Sequence, residues 1–184
     1  MMWGLPFSVE IDGKEQAIRN KCDYRVVLDV ICALNDDELT MEEKIECALT
    51  IFYEDISAIN DIETAIKEMF CIINGGEQEQ ETQDHKPQLM DWKHDFSQIA
   101  PPISRVLGYD VRTPDKFTHW FSFLGGYMEI GECFFQNIVG IREKLRSGKK
   151  LEKWEEKILK EHRKQVLLPR KLTAEEQEFL DSDW

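Results

Sequence analysis

Residues 113–146, TPDKFTHWFSFLGGYMEIGECFFQNIVGIREKLR, are the most aromatic stretch of the chain, and their reading sets the fold. Thr113 suits a helix N-cap, Pro114 the first helical position and Asp115 the first turn, where a carboxylate meets the positive end of the helix dipole. Phe117, Trp120, Phe121, Leu124 and Met128 then recur at helical spacing. A second apolar stripe follows at Phe134, Phe135, Ile138, Val139 and Ile141, with Arg142 and Lys144 near its end. The stretch predicts two helices joined around Gly125, Gly126 and Gly131. Their residues suit a packing and binding surface rather than a catalytic centre.

Towards the N-terminus, Phe7, Val9 and Ile11 alternate with Ser8 and Glu10, the period of a half-buried strand. Asp12-Gly13 signals a type I′ turn, and Lys14 to Arg19 returns as a second strand. Two strands alone are marginal in water, so the hairpin needs helices or another chain to cover it. Three helices are predicted next. The first runs from about Asp23 to Leu34 and buries Val27, Val30, Ile31 and Leu34. The second begins at a Thr40–Glu43 capping box, with Met41, Ile45, Ala48, Leu49 and Phe52 as its apolar face. The third starts near Asn60, turns Ile62, Ala65, Ile66, Met69, Phe70 and Ile73 inward, and stops at Asn74-Gly75-Gly76 as a left-handed C-cap.

Residues 75–90 are rich in Gly, Gln and Glu with almost no apolar content, which predicts a linker. From Asp91, the residues Trp92, Phe96, Ile99, Ile103, Val106 and Leu107 keep helical spacing. Pro101-Pro102 predicts a kink or a break there, because the residue before a proline is pushed out of helical geometry. After Ser147-Gly148, a charged helix over 151–165 carries a narrow stripe of Leu151, Trp154, Ile158 and Leu159. In the tail, Thr173 with Glu176 suits a last capped turn, and Phe179, Leu180 and Trp184 offer apolar docking. The expected fold class is mainly α (α+β): an N-terminal β-hairpin followed by helices, then a C-terminal helical subdomain. The expected boundaries are 1–74, a linker over 75–90, a helical subdomain over 91–166 and a tail over 167–184.

Composition bounds the function. A chain of 184 residues with 42% hydrophobic content can build one domain or two small ones. No apolar run approaches the roughly 20 residues that span a bilayer, and the N-terminus lacks the pattern of a secretory signal. A cytosolic protein with no membrane partner is expected. Five cysteines, none spaced C-x-x-C, argue against a disulfide framework or a zinc ribbon. The net charge is −13, yet residues 142–171 carry twelve Lys/Arg against five Asp/Glu, a net of +7. An acidic body with a basic arm suits electrostatic pairing with another macromolecule. The acidic body argues against general nucleic-acid binding, which needs a concentrated positive face.

Candidate chemistry is sparse. His119 has no Ser or Cys at a pairing distance in sequence, so a hydrogen-bonded structural imidazole is expected. Glu129, Glu132 and Cys133 cluster near Gly131 but fall short of a convergent ligand set. Asp91 and His94 have i, i+3 spacing with no second such pair. Phosphate-binding, dinucleotide-binding and nucleophile-elbow motifs are all missing from the sequence. No catalytic residue, cofactor or metal is assigned, and no enzyme activity is expected. The aromatic load suits core packing, but Phe123 lies off the Trp120–Phe121 stripe. Part of the cluster is therefore assigned to an apolar face for a partner. The candidate partner-binding residues are Trp92, Phe96, Phe117, His119, Trp120, Phe121 and Phe123, with Arg142 and Lys144.

An ordered pattern runs through these residues. Asp95-Phe96 begins a helix, and an isoleucine-bearing helix ends before Asp110. His119-Trp120-Phe121-Ser122-Phe123 forms an aromatic core. Ile138-Val139-Gly140-Ile141-Arg142 leads into a lysine-rich helix. In this pattern the chain resembles the "gene product fifteen" family of tailed bacteriophages and prophages of Gram-positive bacteria. Many relatives have Leu-His-Trp-Trp where this chain has Thr118-His119-Trp120-Phe121, and Pro101-Pro102 stands where a continuous helix is commoner. The resemblance implies a tail assembly chaperone acting in the host cytoplasm. Its implied partner is the long, helical, apolar-striped tape measure protein. The tail-tube protein and a second copy of the chain are further candidate partners. The alternative is a structural head–tail or tail component retained in the virion.

Overall fold

The computed structural model describes residues 4–77 and 88–169. The centre of the expected linker, the Thr173–Glu176 cap and the docking of Phe179, Leu180 and Trp184 lie outside the described residues. The fold is mainly α, with one two-stranded antiparallel sheet at its start. Two compact units interleave in sequence. One falls within Met1–Asp84 and Val111–Met128, the other within His85–Asp110 and Glu129–Trp184. The expected subdomain over 91–166 is thus divided, because residues 118–120 bond to the backbone around Cys22 and Tyr24.

The first unit opens with β1 (Ser8–Ile11) and β2 (Lys14–Ala17), paired in register from Ser8↔Ala17 to Ile11↔Lys14. Asp12 and Gly13 both have positive φ, +53° and +68°, as a type I′ turn requires. Val9, Ile11 and Ile18 are buried. The hairpin is covered by its own chain. Ile18 bridges Tyr53, and the Arg19 guanidinium donates to the carbonyls of Thr50, Ile51 and Tyr53. Those carbonyls end α2 (Met41–Phe52), where partners are missing within the helix and a cation is favoured.

The helix starts follow local chemistry. Asp23 caps α1 (Tyr24–Leu34), and Thr40 and Glu43 form the expected capping box of α2. For α3 (Ile62–Ile73) the cap is Asp61, one residue beyond the expected Asn60, and it accepts from the Thr64 N–H at 3.0 Å. The end of α3 is a Schellman motif: Gly76 donates to Cys71 at 2.8 Å and Gly75 to Ile72 at 3.1 Å, both glycines at positive φ. Met41 and Ile62, expected to face inward, are instead 72% and 42% exposed.

The largest departure lies in the opening stretch. Thr113 does not cap a helix. Residues 113–116 make a single turn, and α5 spans Trp120–Met128 with Gly125 and Gly126 inside it. The turn between α5 and the next helix lies at Gly131 alone among the three glycines, at φ +60°. The physical reason is long-range competition for the backbone. Arg25 takes the carbonyls of Val111, Thr113 and Lys116 at 3.0, 2.8 and 3.2 Å. The Thr118 N–H donates to Asp23, the Thr118 carbonyl accepts from Tyr24, and the Trp120 N–H donates to Cys22 at 2.8 Å. A helix begun at Thr113 needs the Thr113 and Lys116 carbonyls for its own bonds. Opposite this segment, Asn20, Lys21 and Cys22 all hold left-handed φ, between +50° and +61°. That conformation costs roughly 1–2 kcal/mol per residue, and the pairing that the turn sets up offsets it.

In the second unit, α4 spans Trp92–Leu107 and runs on through Pro101-Pro102, so of the two expected outcomes, a kink or a break, the break does not occur. Ile99, Ala100 and Ile103 are fully buried around the prolines. Burying one such isoleucine is worth roughly 1.5–3 kcal/mol, the same order as the penalty for an interior proline. The other helices are α6 (Phe134–Arg146), α7 (Lys153–Glu161) and α8 (Arg163–Val166). The single last helix expected over 151–165 is therefore split at His162. Ile138, Ile141, Leu145, Leu151, Leu159 and Val166 make one apolar cluster. Trp154 faces solvent instead of joining the stripe, and Glu155 is buried in its place. That carboxylate is matched by Lys144 at 2.7 Å and accepts from the Glu152 N–H.

Arg142 and Asp95 are both buried, joined by two bonds of 2.7 Å. Removing one member leaves an uncompensated buried charge, which costs about 3–5 kcal/mol. Arg142→Met is expected to lower unfolding free energy by that amount in urea titrations, and Asp95→Leu together with Arg142→Met to recover much of it. A loss below about 1 kcal/mol for Arg142→Met, the range of an exposed pair, would count against this account.

Candidate functional site

The sequence-predicted partner residues divide between the two units. Phe117, His119, Trp120, Phe121 and Phe123 belong to the first, and Trp92, Phe96, Arg142 and Lys144 to the second. Four of the nine, His119, Trp120, Phe123 and Arg142, are buried. Trp120 is 1% exposed, and its indole N–H donates to the Ile73 carbonyl at the end of α3, at 3.0 Å. Phe123 is fully buried and stacks on Tyr24, ring centroids 4.2 Å apart. Trp92, Phe96 and Phe121 are half-buried, and Phe117 is exposed. Arg142 is consumed by Asp95, and Lys144 by Glu155.

His119 is buried with both ring nitrogens engaged. Nδ1 accepts from the Phe121 N–H at 3.0 Å, and Nε2 lies 2.8 Å from the Pro6 carbonyl. Only the neutral tautomer with its proton on Nε2 satisfies both bonds. Burial pushes its pKa below the usual value, while the Pro6 carbonyl and the Asp23 charge pull the other way. Phe7 and Phe121 meet the imidazole edge-on at 5.6 and 5.3 Å. The ring is a structural tie between the segment before β1 and the start of α5.

An open recess lies elsewhere in the first unit. An apolar groove of about 480 Å³ is lined by Met41, Ile45 and Leu49 of α2, Ile56 of the α2–α3 connection and Ile62 of α3. Glu42 and Glu46 stand in its wall. From Glu42 to Glu63 the chain carries seven Asp/Glu and one Lys, a net of −6. Pattern reading assigns Met41 and Ile62 to the core because both lie on an apolar stripe. Their position held the missed signal. Each directly follows an N-cap, Thr40 or Asp61, at the tip of its helix.

Among the described residues no group of three or more His, Cys, Asp or Glu is placed to hold a metal ion, and Glu129, Glu132 and Cys133 do not form one. No described helix is long and apolar enough to cross a membrane. All five cysteines are free thiols, and burial pushes that of Cys22 up to about 12.

Compared with known families, residues 2–168 match the family described as bacteriophage Gp15 protein. The chain belongs to this family. It is accordingly a phage structural or assembly protein. No curated protein and no solved structure matches it. Of the residues that carry the Gp15 resemblance, Asp95, His119, Trp120, Phe123, Ile138, Ile141 and Arg142 are buried, Phe96, Phe121 and Val139 are half-buried, and Asp110 is exposed.

His119 also makes stability depend on pH. Its folded pKa lies below the usual 6.5, so the unfolded chain takes up the proton first as pH falls. The stability it contributes is complete above about pH 6.5 and is lost as pH drops towards the folded value. Between about pH 7.5 and 5.5, the urea midpoint of the wild type is expected to fall more steeply than that of His119→Gln. Parallel pH profiles for the two would contradict this.

Proposed function

We propose that this protein is a tail assembly chaperone of a long-tailed phage, binding the tape measure protein in the host cytoplasm while the tail is built. The observation that carries the reading is the α2–α3 groove, an apolar recess in a strongly acidic surface. Family membership supports phage assembly as its setting. A long helical protein with apolar stripes aggregates unless those stripes are covered. A small helical protein that presents an apolar recess covers them by binding alone, with no covalent step and no cofactor. Charge on both partners sets the encounter rate and orientation. The tail-tube protein then displaces the chaperone as it polymerises, and several copies of the chaperone cover the length of the tape measure; neither role requires membrane or nucleic-acid contact.

Co-expression with the long coiled-coil-rich protein encoded nearby in the phage genome tests the proposal. The expected outcome is a soluble partner that elutes with this protein in size exclusion, and absence of this protein from purified particles by mass spectrometry. An insoluble partner, or stoichiometric presence of this protein in the virion, would instead favour a retained head–tail or tail component.

A further inference from the structure

We infer that the α2–α3 groove binds an amphipathic α-helix with apolar residues at i, i+3 or i+4 and i+7, bordered by Lys or Arg. The inference rests on the tail-assembly reading only for which phage protein supplies that helix. Five apolar side chains line the recess, and its volume of about 480 Å³ is that of a ligand-binding cleft. Met41 and Ile62 stand exposed at its mouth, where they can close on an incoming apolar ridge. Glu42 and Glu46 project from the same helix one turn apart, so cations flanking the ridge of the bound helix meet two carboxylates. An apolar floor beside an acidic wall suits the helix-in-groove mode with a basic flank.

Other occupants fit less well. Within this chain, residues 174–184 carry five Asp/Glu and no Lys/Arg, so their charge opposes the groove. A second copy offers α7, whose Trp154 is exposed beside Lys153, Lys157 and Lys160. That helix presents one large apolar side chain to solvent, and Glu152, Glu156 and Glu161 dilute its charge.

The test uses the full chain and a fluorescent helical peptide of about 18 residues, with Leu on one face and Lys on the other. A matched peptide carries Glu for Lys. Anisotropy titration is expected to show the Leu/Lys peptide binding at least roughly tenfold more tightly than the Leu/Glu peptide. Met41→Lys with Ile62→Lys is expected to weaken the Leu/Lys peptide by roughly tenfold or more, with the helical circular dichroism spectrum retained because both side chains are partly exposed. Glu42→Lys with Glu46→Lys is expected to narrow the gap between the peptides. Equal binding of the Leu/Lys peptide by the wild type and the Met41/Ile62 variant overturns the inference. So does a wild-type oligomer that the same variant dissolves in sedimentation velocity, since the groove is then filled by a second copy. Co-expression with the tape measure protein separates the two claims. Rescue by the wild type but not by the Met41/Ile62 variant supports both. Rescue by both proteins keeps the chaperone reading and overturns the groove. If neither rescues, the chaperone reading falls, and the peptide titration alone decides the groove.

Discussion

The second unit hangs on the guanidinium of Arg142. Its five N–H donors are all used: two on Asp95, and one each on the carbonyls of Leu89, Gln165 and Val166. The Asp95 carboxylate also accepts from the Asp91 N–H at 3.0 Å. A buried charge is tolerated only when paired and fully hydrogen-bonded, and here both conditions hold. One side chain on α6 thereby fixes the approach to α4, the start of α4 itself and the end of α8. Lysine has three donors and no planar fork, so it cannot reproduce this set of contacts.

The first unit solves a similar problem with backbone instead of charge. The strained left-handed turn at Asn20–Cys22 presents an edge to residues 118–120, and Asp23 and Arg25 secure it. Trp120 then reaches the last turn of α3, and Phe123 stacks on α1. Segments about ninety residues apart in sequence are tied together in this way, as the Tyr24 hydroxyl bond to the Val111 carbonyl also illustrates. The two networks use the residues that set this family's pattern apart. The groove proposed for binding is lined instead by ordinary side chains: a methionine, a leucine, isoleucines and glutamates.

Much of the fold was legible in the residues themselves. The Asp12-Gly13 turn, the Thr40–Glu43 capping box and the Asn74-Gly75-Gly76 stop depend on chemistry within a few residues, and each stands where its sequence signal lies. The candidate site was less legible. The aromatic stretch drew attention as a partner surface, yet Trp120 and Phe123 are core. Large aromatic side chains suit both roles, and only their neighbours in space distinguish them. Arg142 and Lys144 looked like parts of a free basic arm because their partners, Asp95 and Glu155, lie 47 and 11 residues away.

By itself, then, the sequence determined most element types, several of the helix caps, the mainly helical class and the family pattern. Tertiary structure alone decided where α5 begins, that α4 passes through two prolines, which unit residues 111–128 join and which apolar side chains stay uncovered. The division follows from the range of the forces. Capping and periodicity act over one turn. A carbonyl taken by Arg25, or a methionine left without a neighbour, depends on chain segments that only folding brings near.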